Sequence, residues 1–294
     1  MSTDSSVAIC AALRAGAEIL DVYNSEIAVE LKDDRSPLTE ADRRAHKVIS
    51  DKLMITGYPV LSEEEEITDY TTRVEWERFW LVDPLDGTKE FIKRNGEFTV
   101  NIALIDKGRP VLGVIYVPVK KVLYFGSWKG RSMKMEDVEP AWPGATDEVL
   151  IKYAQKKMFS SGAWLPLGYY EKSGTEAEMQ TKRENYVVVA SRSHLSPETE
   201  AIIEEKRKQY DKVETVSMGS SLKLCLVAEG VADIYPRMAP TMEWDTAAGD
   251  AIARYAGCRV YNANTGLDLE YNKMELLNPW FIVERPVVRE WASV

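Results

Sequence analysis

The stretch that most restricts the fold is Glu77–Phe125, where strand-like segments follow one another with little between them. Glu77–Val82 reads as a strand ending on Asp83. Phe98–Asp106 and Val111–Val117 are apolar and β-branched, and the Lys107-Gly108 pair between them predicts an antiparallel hairpin. Val122–Phe125 extends it into a meander. Elsewhere helices and strands alternate. Val7–Tyr23 places Ile9, Leu13, Ile19 and Leu20 at helical spacing behind Ser5 and Ser6 as caps. Thr39–Met54 opens on Thr39 and Asp42 and repeats Ala45, Val48, Ile49 and Leu53 on one face. Tyr58–Leu61 is a short strand running into the acids Glu63 to Glu66. Later come a strand at Tyr186–Ala190, a helix at Pro197–Tyr210, a strand at Val213–Val216, a helix at Ser220–Glu229, a strand at Val231–Tyr235 and a helix at Asp245–Tyr255 with Gly257 as its C-cap. Between Lys129 and Asn185 the pattern weakens into Pro, Gly, charges and isolated aromatics. The whole predicts a layered α/β (α+β) sandwich of two packed halves. Residues 1–130 form the first half, 131–185 a variable insertion or bridge, and 186–294 the second.

Composition matters mainly for what it excludes. A chain of 294 residues, 45% hydrophobic and 29% charged, suits a water-facing globule with a large core. Its formal net charge of -10 argues against a general nucleic-acid partner, because phosphate backbones recruit Lys and Arg. Many acids are clustered, so a small phosphorylated substrate remains compatible, with a cation offsetting the carboxylates. The three cysteines, Cys10, Cys225 and Cys258, form no C-x-x-C pair, which predicts a reducing cytoplasm and buried thiols rather than a disulfide framework. Two histidines, His46 and His194, are too few for a His-rich metal site. No signal peptide and no membrane-spanning run is evident, which leaves the cytoplasm, in solution or peripherally at the inner membrane face. Oligomeric state is not set by these features.

Three acidic groups sit at the ends of predicted elements: Glu63 to Glu66, Asp83 with Asp86, and Asp245 before a helix. Carboxylates at strand ends converge readily in a crevice of an α/β fold, and several of them with a backbone carbonyl suit Mg²⁺. In Asp83-Pro84-Leu85-Asp86-Gly87-Thr88, Pro84 stiffens the turn so that both carboxylates and the Leu85 carbonyl face one pocket. Gly87 permits close approach, and Asp86 is expected to cap a helix starting near Thr88, whose free amides would face an anion. An isolated D-x-x-D more often marks a plain turn. The full string, with acids upstream and downstream, favours a metal site.

These strings resemble the lithium-sensitive, magnesium-dependent phosphomonoesterase superfamily that includes inositol monophosphatase. Its D-P-[IL]-D-G-T and W-D-x-A-A-G patterns stand here as Asp83 to Thr88 and Trp244 to Gly249. Ser62-Glu63-Glu64 matches the G-E-E-S position with serine for glycine, and Thr39 to Asp42 matches T-x-x-D. Within the superfamily, Lys89-Glu90-Phe91 and Arg94 to Ala103 resemble the bacterial 3'(2'),5'-bisphosphate nucleotidases. That resemblance implies hydrolysis of the 3'-phosphate of adenosine 3',5'-bisphosphate, a by-product of sulfate assimilation, with two or three Mg²⁺ ions. It assigns Glu64, Asp83 and the Leu85 carbonyl to a first metal, and Asp83, Asp86 and Asp245 to a second. A third, weaker ion falls near Glu63 or Glu64. Asp42 would orient Thr88, and Thr88 the attacking water. Glu64, Asp86, Gly87, Thr88 and Asp245 would also border the substrate.

Substrate choice is expected from the second half. His194, Ser220, Lys223 and Arg237 follow predicted strands or open a helix, and Lys223 with Arg237 could hold the 5'-phosphate. The plainer reading of each is a solvated lysine or a cap. An inositol or sugar monophosphatase, and an inactive metal-binding regulator, are the alternatives.

Overall fold

Residues 78–86 form a strand buried along nearly its whole length, and this double-sided burial sets the layer order. The computed structural model describes residues 2–25, 29–31, 37–128, 130–165, 185–190 and 196–285. Helix α1 (Thr3–Tyr23) is capped by Ser2, whose hydroxyl accepts from the Ser5 amide. The cap thus falls before Ser5 and Ser6, which lie buried in the first turn. Strands β1 (Val29–Leu31) and β2 (Pro37–Thr39) pair antiparallel ahead of α2 (Glu40–Leu53). Then come β3 (Val60–Ser62), the short helix α3 (Tyr70–Arg73), β4 (Arg78–Asp86), α4 (Thr88–Ile92), β5 (Thr99–Asp106), β6 (Arg109–Val117) and β7 (Val122–Ser127). They are followed by β8 (Met133–Met135), α5 (Asp147–Ser160) and β9 (Gly162–Trp164). Strands β3 to β9 make one seven-stranded sheet in chain order. Only β3–β4 is parallel; the other neighbours, including the anticipated β5–β6 hairpin, are antiparallel.

The second sheet takes β10 (Asn185–Ala190), β11 (Lys212–Ser217), β12 (Ile234–Arg237), β13 (Arg259–Asn262) and β14 (Phe281–Glu284) in the order β11-β10-β12-β14-β13. Its helices are α6 (Pro197–Arg207), α7 (Leu222–Glu229) and α8 (Glu243–Tyr255). Strand β12 starts later than Val231 because the Val231 and Ala232 amides are spent on the Leu226 carbonyl at the end of α7.

Alternation along β4 divides the core. Trp80 and Val82 pack with Ile9, Leu13, Ala45 and Ile49 of α1 and α2. Phe79 and Leu81 face Leu224, Cys225, Ala247 and Ile252 of α7 and α8, whose cluster continues into Val260 and Phe281 of the second sheet. On that sheet's far side Ile203 of α6 packs with Tyr186, Val188 and Ile234. Helix, sheet, helix, sheet, helix is the layered α/β sandwich that the alternating pattern predicts. Each fully buried apolar side chain of β4, such as Phe79, Leu81 or Val82, contributes about 1.5–3 kcal/mol of apolar burial.

The weakly patterned stretch after Lys129 carries regular structure as far as Leu165. β8 and β9 extend the first sheet, and α5 packs on α1 through Leu150, Cys10 and Ala145. Arg14 ties the two helices together, donating to Asp147 at 2.7 Å and to the Ala145 carbonyl at 2.9 Å. Three-residue strands and a helix that buries only Leu150 and Ala154 leave too little periodicity to read. All three cysteines are buried and unbridged. Among the described residues no helix is long and apolar enough to cross a membrane.

Helix α8 lies so close over the first sheet that a Cβ on Gly113 would meet the Ala248 carbonyl oxygen at 2.2 Å. Gly113→Ala is therefore expected to destabilise the fold by about 2–3 kcal/mol through overpacking. Denaturant unfolding with an unchanged midpoint would contradict this close contact.

Candidate active site

The site is built where β4 breaks its register. Asp83 pairs with Asn101 and Asp86 with Thr99, so two residues, Pro84 and Leu85, bulge opposite one on β5. Proline is tolerated there because a bulge needs no ladder amide. The Leu85 amide folds back to donate to Asp83 Oδ1 at 3.1 Å, which fixes that carboxylate at the strand's end.

Three carboxylates meet at this point: single oxygens of Glu63, Asp83 and Asp245 lie within 4.8 Å of one another. Each comes from a different element. Glu63 follows β3 and its amide donates to the Val82 carbonyl at 3.1 Å, which sets it beside Asp83. Asp245 sits inside the first turn of α8 rather than ahead of it, and its Oδ2 accepts from the Met242 amide at 2.8 Å. The converging glutamate is Glu63, not Glu64. Both glutamates lie in the turn after β3, so a one-residue difference decides which side chain meets Asp83 and Asp245.

Burial pushes the Asp83 carboxyl well above the usual range, and Glu63, Asp86, Asp245 and Asp42 push it further. Asp245 is raised to about 8, by burial first and Asp86 next, against the pull of the Met242 amide. So many carboxylates cannot all be ionised together without a counter-charge. An all-oxygen donor set of this kind fits a hard divalent cation of the Mg²⁺ class.

Asp86 does not cap α4. Gly87 occupies the N-cap position, with φ +91°, while the Asp86 carboxylate turns across to α7 and accepts from the Ser221 amide at 2.6 Å. A side chain on Gly87 is barred twice over: by that φ, and by the Ser220 hydroxyl 2.2 Å from where a Cβ would stand. The Ser220 hydroxyl lies within bonding distance of the Asp86 and Glu97 carbonyls, at 2.9 and 2.6 Å. Thr88 Oγ1 lies 3.4 Å from the buried Asp42 carboxylate and 3.5 Å from the Leu85 carbonyl oxygen.

A cavity of about 260 Å³ opens beside these groups, and its lining includes Asp86, Gly87, Glu90 and Asp245 together with Lys93, Lys223 and Arg237. Lys223 donates to the Ser220 carbonyl at 2.7 Å, and burial pulls its pKa below the lysine norm while Asp86 opposes the drop. Arg237 Nε is buried without a hydrogen-bond partner. Of the expected substrate residues, Asp86, Gly87, Ser220, Lys223, Arg237 and Asp245 line this cavity. His194 falls outside the described residues, and neither Glu64 nor Thr88 is part of the cavity wall. Sequence reasoning passed over Lys93, Asn101 and Ser221; the stretch from Arg94 to Ala103 held a signal for Asn101.

The sequence matches the model of the inositol monophosphatase family over residues 1–286. It is 43% identical over 277 residues to the 3'(2'),5'-bisphosphate nucleotidase CysQ of Salmonella typhimurium, covering 92% of this chain and 96% of that protein. The protein of the same description from Buchnera aphidicola is 39% identical over 270 residues, 90% of this chain and 86% of its own. Among solved structures, CysQ from Bacteroides thetaiotaomicron, described as a bacterial member of the inositol monophosphatase family, aligns with a TM-score of 0.79. The two are 50% identical, with 96% of this chain and 97% of that one covered.

Proposed function

The chain belongs to the inositol monophosphatase family, and from that premise we propose that it is a metal-dependent 3'(2'),5'-bisphosphate nucleotidase. Its reaction removes the 3'-phosphate of adenosine 3',5'-bisphosphate, giving AMP and phosphate. This disposes of a by-product of sulfate assimilation and belongs in the cytoplasm. The observation that carries the reading is the meeting of Glu63, Asp83 and Asp245 beside a cavity walled by Lys93, Lys223 and Arg237. Carboxylates serve the phosphate that leaves, and cations serve the phosphate that stays.

Glu63, Asp83 and the Leu85 carbonyl would hold one Mg²⁺, and Asp83, Asp86 and Asp245 a second; a weaker third would lie near Glu63 or Glu64. Bound there, Mg²⁺ supplies Lewis-acid polarisation of water and of the phosphoryl oxygens. The chain does the rest. Thr88 donates its hydroxyl proton toward Asp42, which leaves its lone pairs to accept from the attacking water and aim it at phosphorus. Lys223 and Arg237 hold the 5'-phosphate, the latter with a planar fork that matches its oxygens.

Phosphate release with Mg²⁺ from adenosine 3',5'-bisphosphate and from inositol 1-phosphate, compared as kcat/KM, tests the substrate. The bisphosphate is expected to be favoured at least tenfold, since a charged 5'-phosphate contact is worth about 1.5–3 kcal/mol. Preference for the inositol ester would point to an inositol or sugar monophosphatase, and no release from either to an inactive regulator.

A further inference from the structure

Asp86 is gripped from behind by a buried polar network that bridges the first sheet and the start of α7. Its Oδ2 accepts from the Ser221 amide at 2.6 Å and from Asn101 Nδ2 at 3.4 Å. Both of these donors fall on the same oxygen, which leaves Oδ1 to a ligand. The orientation of Asn101 is itself fixed. Its Oδ1 stands 2.8 Å from the Ser221 hydroxyl and 3.0 Å from the Thr99 hydroxyl, and these two hydroxyls are 2.9 Å apart. Two hydroxyl protons serve three contacts, so in any one arrangement two of them are made. Turning the amide over would set its oxygen against the Asp86 carboxylate, a repulsion the native orientation avoids. Thr99, Asn101 and Ser221 are almost wholly buried, at 0%, 1% and 2% exposure, so no bulk water replaces a lost partner.

Thr99 and Asn101 lie on β5 of the first sheet, whereas Ser221 precedes α7. The network therefore closes only when the α7 layer is seated against the first sheet. We propose that Asn101, with Thr99 and Ser221 behind it, is a positioning residue that presents Asp86 Oδ1 to the metal and makes cation affinity depend on the seating of α7. This rests on the metal centre described above. Groups that orient a metal-ligating carboxylate commonly govern affinity by ten- to a hundredfold.

The test is calorimetric titration of the metal-free protein with Mg²⁺, for wild type, Asn101→Ala, Ser221→Ala and Ser221→Thr, alongside turnover at rising Mg²⁺. Asn101→Ala is expected to weaken Mg²⁺ binding about tenfold or more, with turnover recovering at high Mg²⁺. Ser221→Ala keeps the amide to Asp86 and loses the hydroxyl, so a smaller loss is expected, and Ser221→Thr should restore affinity. Should Asn101→Ala fail to fold, the Ser221 pair decides the matter alone. Wild-type Mg²⁺ affinity in Asn101→Ala, or equal affinities for Ser221→Ala and Ser221→Thr, would overturn the positioning role. Absence of Mg²⁺ binding by the wild type would overturn the metal centre as well, which separates the two failures.

Discussion

Asp83→Asn is expected to lower kcat/KM for adenosine 3',5'-bisphosphate by about a thousandfold or more while raising the melting temperature of the metal-free protein. The first effect follows because this carboxylate is assigned to both cations, and water attack without them forfeits several kcal/mol of charge stabilisation. The second follows from its surroundings. The Asp83 carboxyl is buried among Glu63, Asp86, Asp245 and Asp42 and sits well above its ordinary value of 3.8 in the folded state. A raised folded pKa means that the folded state disfavours the ionised form. The contribution of these carboxylates to the stability of the metal-free protein is then greatest at and below the ordinary carboxylate value and declines as pH rises toward the folded values, the one at Asp245 being about 8. Asparagine keeps the shape, removes one charge and should flatten that decline. A gain of about 1–2 kcal/mol corresponds to a few degrees in a chain of this size. Thermal melts in chelator between pH 5 and 8, with and without Mg²⁺, check both parts. A variant with near-normal turnover, or a metal-free wild type that grows more stable as pH rises, would contradict the carboxylate account.

Lys223→Met and Arg237→Ala are each expected to raise KM for the bisphosphate about 10- to 100-fold with a smaller change in kcat, as loss of one charged phosphate contact predicts. Adenosine 3'-monophosphate lacks the 5'-phosphate, so its kinetics should change far less. Lys223 carries a further signature. Because burial lowers its pKa, it loses its charge at lower pH than a free lysine, and KM should rise on the alkaline side. In Lys223→Met that alkaline rise should disappear. Equal losses for both substrates would assign these residues to the reacting phosphate instead.

Much of this site was legible because its chemistry is local in sequence. Asp83 to Thr88 places a stiffening proline, two carboxylates and a permissive glycine within one turn, and the long apolar runs of β4 to β7 leave few ways to arrange the strands. What was hidden depends on three-dimensional register. Four consecutive acids at Glu63 to Glu66 do not reveal which one faces Asp83; the amide bond to Val82 does. The capping role expected of Asp86 fails because Ser221, 135 positions away, offers its carboxylate a better donor than the start of a five-residue helix. The network of Thr99, Asn101 and Ser221 joins different layers, and nothing in the sequence pairs them. β8 and β9 escaped notice because a three-residue strand has no period to detect.

Hydrolysis of adenosine 3',5'-bisphosphate in ¹⁸O-labelled water with Mg²⁺, followed by phosphorus NMR and mass analysis, tests the central claim most directly. Attack by water at the 3'-phosphorus predicts one labelled oxygen in the released phosphate and unlabelled adenosine 5'-monophosphate. Adenosine 3'-monophosphate as product, or label retained on the nucleoside, would contradict the assignment of carboxylates to the departing phosphate and cations to the one that stays.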